Sequence, residues 1–148
     1  VRFSAQVNVE AGLDALARGE IDLLARNATI TLSRDAGRTV SPTAVTFFDG
    51  MGFLVPTRAG VASPRAMQGR AVCWAGAEGT GTAGENLAGF NARFQLGWTI
   101  RRYETQPLAV AALREGRCDA LSADASALAV RRIIDMPVPE EWAVLPEI

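Results

Sequence analysis

Apolar and polar residues change their spacing repeatedly along the chain, and each change marks an element. VRFSAQV (1–7) alternates weakly, as a strand does. In NVEAGLDALARGE the spacing lengthens to that of a helix: Val9, Leu13 and Leu16 share one face, Asn8 stands at the N-cap and Gly19 at the stop. IDLLARNATI is a short apolar strand running into a polar loop. Strand, helix, strand at this spacing predicts parallel βαβ construction. Two apolar runs follow, 45–48 and 52–55, split by Asp49, Gly50 and Met51 and bracketed by Pro42 and Pro56.

The second half alternates more regularly. AVCWA reads as a strand, GAEGTGTAG as a loop and ENLAGFNARF as a helix. Strand WTIRRYE, helix PLAVAALREG, strand CDALSAD and helix ASALAVRRIID come next, and WAVLPEI is suited to a returning strand. A boundary is expected near residues 56–64, between two α/β parts that each offer the carboxyl ends of their strands, where open sheets bind ligands. An internal repeat supports the division. ALARGEIDLLARN and ALREGRCDALSAD match Gly19 to Gly116, Asp22 to Asp119 and Leu24 to Leu121 at one constant offset, which also pairs Asn27 with Asp124. Equivalent strand tips would then present polar residues to a shared cleft, although any two βαβ units share part of this pattern.

Composition narrows the chemistry. A chain of 148 residues is long enough for one ordinary domain or two small lobes. Net charge is -1, and the 15 basic residues form no run longer than the pairs Arg101–Arg102 and Arg131–Arg132, so nucleic acid and anionic membrane are poor partners. Histidine is absent, which removes the usual general base and the commonest nitrogen ligand of metals, and with them a triad hydrolase or a zinc enzyme. Cys73 and Cys118 form no CxxC unit and are compatible with two buried thiols or with one bridge in an exported protein. No apolar run approaches the roughly 20 residues of a membrane span, and the opening residues lack the pattern of a signal peptide.

Three places carry candidate binding chemistry. In RNATITLSRD (26–35) a threonine-rich bend and Arg34 supply backbone N–H groups, hydroxyls and a guanidinium fork suited to a carboxylate. The plain alternative is a surface arginine at a helix start beside Asp35, and Arg26 is a weaker candidate than Arg34. In GAEGTGTAGEN (76–86), glycines let the backbone approach a ligand, and Thr80 and Thr82 add hydroxyls at the positive end of the next helix. Its glycine spacing does not fit a dinucleotide loop. Asp124, at the end of its strand, is expected to cap the following helix, to accept from a ligand ammonium group, or both. Anion clamps opposed by an acid describe a receptor for an α-amino acid. Phe47, Phe48 and Phe53 suit either the wall of a cleft or the core; Trp74 and Trp98 read as core, and Asp49 as a turn residue.

GEIDLLARNATITLSRDAG, FFDGMGFLVP, GRAVCWAG and GRCDALSADASAL, taken in order, resemble the extracytoplasmic solute-binding proteins of polar and general L-amino-acid ABC transporters. The resemblance implies an α/β fold of the two-lobed, type II periplasmic-binding-protein kind. Its first lobe is expected to be incomplete (1–58), with 59–148 forming the second lobe together with the hinge-side start and the returning strand. It implies a periplasmic receptor that hands an L-amino acid to a membrane permease and needs no cofactor, its signal peptide absent from the sequence shown. Thr29 and Arg34 match the residues that bind the ligand carboxylate, with Asn27 adding a backbone contact. Thr82, or Thr80 in another register, matches the second-lobe contact, and Asp124 matches the acid that holds the α-amino group. Cys73 and Cys118 match a disulfide of this branch, and both are expected in parallel strands able to neighbour one another. An incomplete first lobe invites homodimerisation or domain swapping. Two alternatives stand beside this reading: a truncated relative acting as an interaction module, and a cyclohexadienyl-dehydratase-like enzyme with Glu78 as its added acid.

Overall fold

Gly52, Phe53, Leu54 and Val55 are buried without interruption, the signature of a strand covered on both faces. They belong to β1 (Met51–Pro56) in the computed structural model, which describes residues 1–26, 28–37, 40–76 and 82–145. The chain divides between Phe48 and Asp49 into two units. The expected division at 58/59 thus falls later than the structural one, because β1 pairs antiparallel with two strands of the second unit and is part of its sheet.

The first unit is built around α1 (Val9–Ala17). The Asn8 side chain accepts the Ala11 N–H at 2.8 Å, a cap worth about 1 kcal/mol, and Leu13 and Ala15 are buried. A short α2 (Leu32–Gly37) follows, its Asp35 N–H bonded to the Thr31 carbonyl. Among the described residues of this unit none forms a strand. VRFSAQV and IDLLA, both expected as strands, stay irregular, and Val1, Phe3, Val7 and Leu23 are exposed. Alternation supplies only a preference for extended backbone; a ladder partner makes the strand, and these segments have none among the described residues. The run 45–48 is likewise irregular, with Phe47 and Phe48 exposed.

The second unit is a five-stranded mixed sheet in the order β3-β2-β4-β1-β5. β2 (Ala71–Ala75), β3 (Thr99–Tyr103) and β4 (Ala120–Asp124) run parallel, and β5 (Trp142–Leu145) is the expected returning strand. α3 (Ala83–Phe94), α4 (Gln106–Arg114) and α5 (Ala125–Ile134) match the sequence expectation closely. Side chains of successive strand residues point to opposite faces, so the strands feed two cores. Leu54, Cys73 and Leu121 meet α4 and α5 on one face, while Phe53, Val55, Val72 and Ala120 meet Leu87, Leu96 and Trp98 on the other. Phe53 and Trp98 pack edge to face with centroids 5.3 Å apart, and the indole N–H of Trp98 donates to the Met67 carbonyl at 2.8 Å. On the edge strand β3, Arg101 and Arg102 donate to the carbonyls of Arg117 and Gly76, which blunts the edge against unwanted pairing.

The repeat has a local structural basis. Gly19 and Gly116 follow α1 and α4 with φ of 70° and 71°, a conformation that a Cβ disfavours. Gly19 N–H bonds to the Leu16 carbonyl and Glu20 N–H to Ala15; Gly116 N–H bonds to Leu113 and Arg117 N–H to Ala112. Both helices thus end in the same glycine-terminated motif. Each carries a neighbouring Arg–Glu pair, Arg18 with Glu20 and Arg117 with Glu115, and the hydrogen bond from Arg18 draws the Glu20 carboxyl below its ordinary range. Beyond the glycine the copies diverge: 120–124 becomes β4 while 21–25 does not become a strand. Asp119 is structural, accepting the Ala71 N–H at 2.8 Å and pairing with Arg70.

Candidate functional site

Connections on the two sides of the β2–β4 pair leave in opposite directions. β2 leads to α3 on one face of the sheet, whereas β4 is reached from α4 and leads to α5 on the other. In α/β sheets ligands are accepted at the carboxyl ends of strands where connections diverge in this way, which makes the ends of β2 and β4 the candidate place. Trp74 lies opposite Ser122 across the pair, so Ala75 and Asp124 end at the same edge. Two surface depressions of this unit, one lined by Arg114, Glu115, Val138 and Trp142 and the other by Thr57, Arg58 and Glu141, lie at the far end of the sheet, where Pro56 meets Trp142.

Asp124 sits at the N-cap position of α5 yet makes no capping hydrogen bond through its side chain, which is exposed. The expected capping role passes to Asp49. One Asp49 carboxylate oxygen accepts the Ser126 N–H at 3.3 Å and its neighbour Gly50 N–H at 3.0 Å, and the other accepts the Ser126 hydroxyl in a short bond. The Gly50 carbonyl takes the Ala125 N–H at 2.8 Å. Asp49 was legible only as a turn residue, because its partner stands 77 positions away in sequence.

Thr82 occupies the N-cap of α3, where its carbonyl accepts the Asn86 N–H at 2.9 Å and its hydroxyl makes no capping bond. Two of the glycines around it serve Trp74: a methyl group at Gly84 would lie 2.7 Å from an indole carbon, and one at Gly76 would lie 2.5 Å away. The indole therefore rests against bare backbone where β2 ends and α3 begins. Gly84→Ala is expected to lower stability by about 1–2 kcal/mol, the overpacking outweighing the gain in helix propensity. A fall in the urea midpoint at unchanged slope would show this; a raised midpoint would show that the ring moves aside freely.

In the first unit Thr29 is exposed, and Arg34 lies in α2 with its side chain outside the described atoms. Asn27, Thr80 and Glu78 lie outside the described residues. Arg26, the weaker candidate, donates to the Gln6 carbonyl at 2.9 Å. Cys73 and Cys118 are joined in a disulfide, with Cα atoms 5.8 Å apart and both side chains in the core; Cys118 precedes β4 rather than lying within it. Among the described residues no group of three or more histidine, cysteine or acidic side chains is placed to hold a metal, and no helix is long and apolar enough to cross a membrane.

No protein-family model matches the chain. It is 41% identical over 135 residues to YhdW of Escherichia coli K12, spanning 90% of this chain and 38% of that protein. It is 36% identical over 142 residues to the general L-amino acid-binding periplasmic protein AapJ of Rhizobium johnstonii, spanning 95% of this chain and 40% of AapJ. Among solved structures, an ABC transporter periplasmic binding protein from Brucella ovis with glutathione bound superposes with a TM-score of 0.83 at 32% identity, over 97% of this chain and 44% of that one. The chain thus spans about two fifths of the relatives it matches.

Proposed function

The chain is homologous to the extracytoplasmic solute-binding proteins of amino-acid ABC transporters, and on that premise we propose that it binds an L-α-amino acid without transforming it, for delivery to a membrane permease from the periplasm. The observation that carries the reading is the Asp124 carboxylate, which stands at the carboxyl end of β4 with no capping bond of its own. An ammonium group there would gain a charge-assisted hydrogen bond. The Thr82 hydroxyl and the backbone at the start of α3 suit the ligand carboxylate, helped by the positive end of the helix, with Thr80 as the alternative donor. In the first unit, Arg34, Thr29 and Asn27 are the residues proposed to contact a ligand carboxylate. We take that unit as part of one lobe and 49–148 as the other, a boundary supported by the pairing of β1 with β4 and β5.

Glutathione, held by the Brucella relative, carries a free α-amino acid head on its glutamyl residue, so the same chemistry would suit a γ-glutamyl compound. Calorimetric titration with a panel of L-amino acids and glutathione tests the proposal. Saturable heat whose affinity Arg34→Ala and Asp124→Ala each weaken strongly is the expected result. A folded chain that gives no heat with any of them, and that associates with itself as concentration rises, would overturn it in favour of an interaction module or domain-swapped dimer built on the exposed apolar residues of the first unit.

A further inference from the structure

An aspartate at a helix N-cap ordinarily folds its side chain back onto the N–H groups of the first turn, a bond worth about 1 kcal/mol. Asp124 is placed to do so and does not. One of the two amides within its reach, that of Ser126, is already bonded to Asp49, whose second oxygen also holds the Ser126 hydroxyl. The Gly50 carbonyl takes the Ala125 N–H, and Met51 stands opposite Asp124 in the β1–β4 ladder, so the two residues after Asp49 tie it to the start of α5. At Gly52 a methyl group would meet Ala125 Cβ at 3.3 Å, which shows how closely the first turn of α5 lies over β1.

We propose that Asp49 is a positioning residue: by capping α5 from the neighbouring strand, it keeps the Asp124 carboxylate uncommitted and available to a ligand ammonium group. This rests on the amino-acid-binding reading given above and deepens it. The Asp49 side chain takes an N–H at the start of α5, a task that would otherwise fall to Asp124. Remove Asp49, and the ligand must compete with the helix for the same carboxylate. Asp49 acts through Asp124 and needs no contact with the ligand.

The test is a double-mutant cycle on the intact chain, read by titration with the amino acid that binds the parent most tightly. Asp49→Ala is expected to weaken binding about 5- to 10-fold. Asp49→Asn, which keeps an acceptor for the Ser126 amide, should restore most of the loss, and this separates capping from charge. In an Asp124→Ala background Asp49→Ala should have little further effect on affinity. A crystal structure of the Asp49→Ala protein without ligand gives an independent reading, with the Asp124 carboxylate expected to turn onto the first-turn N–H groups of α5. Equal effects of Asp49→Ala in both backgrounds, or an Asp124 side chain unmoved in the variant crystal, would overturn the proposal. If the parent binds no amino acid, the functional reading fails, while the crystal structure still decides whether Asp49 controls the Asp124 side chain.

Discussion

Asp124→Ala is expected to weaken L-amino-acid binding by roughly 100-fold while leaving the fold almost as stable as before. A hydrogen bond to a charged group contributes about 1.5–3 kcal/mol, and the upper end applies where the ammonium is removed from water and left without its counter-charge. About 3 kcal/mol corresponds to two orders of magnitude in the dissociation constant. Stability should change little, within about 0.5 kcal/mol, as for an ordinary surface site. An N-cap aspartate would normally contribute more, but here Asp49 holds the Ser126 amide and Asp124 makes no capping bond. Calorimetry and urea denaturation of the same variant separate the two quantities. Affinity unchanged, or a loss of stability above 1 kcal/mol with affinity retained, would make Asp124 a structural residue only.

Removing the disulfide should produce the largest effect on stability. The bridge between Cys73 and Cys118 spans 45 residues and closes a loop that contains α3, β3 and α4. Restricting the unfolded chain over such a loop is worth about 4 kcal/mol in the chain-entropy treatment, and measured values commonly fall at 2–4 kcal/mol. The double variant Cys73→Ala, Cys118→Ala is therefore expected to lose about 2–4 kcal/mol, a large fraction of the stability of a small domain. Its urea midpoint should not respond to reductant, while that of the parent falls toward it. A parent whose midpoint is indifferent to reductant would show that the bridge adds nothing. An oxidising compartment, as the proposed periplasmic role requires, preserves this contribution.

Every strand and helix expected after residue 70 formed, because each combines a clear apolar period with a stop: Gly97 before β3, Gly116 after α4 and Asp124 between β4 and α5. Asn8 and Gly19 marked the ends of α1 equally well, since a cap is a local event involving residues within one turn. The strands expected over 1–7 and 21–24 did not form among the described residues. A ladder depends on what lies alongside, and no local pattern contains that information. The apolar run 52–55 illustrates the same limit, because the sequence marked it as a strand but could not say whose sheet it joins.

Candidate chemistry divides along the same line. The sequence by itself determined the position of Asp124 at a strand end, the cysteine pair as a possible bridge, Thr82 at the entry to α3 and the absence of histidine chemistry. Tertiary structure alone decided that β1 belongs with the second unit, that Trp74 packs against Gly76 and Gly84, and that Asp49 rather than Asp124 caps α5. The physical reason is distance along the chain. Caps, turns and periodicity are set by neighbours within a few residues, whereas the state of the Asp124 carboxylate depends on a partner brought to α5 by the pairing of β1 with β4.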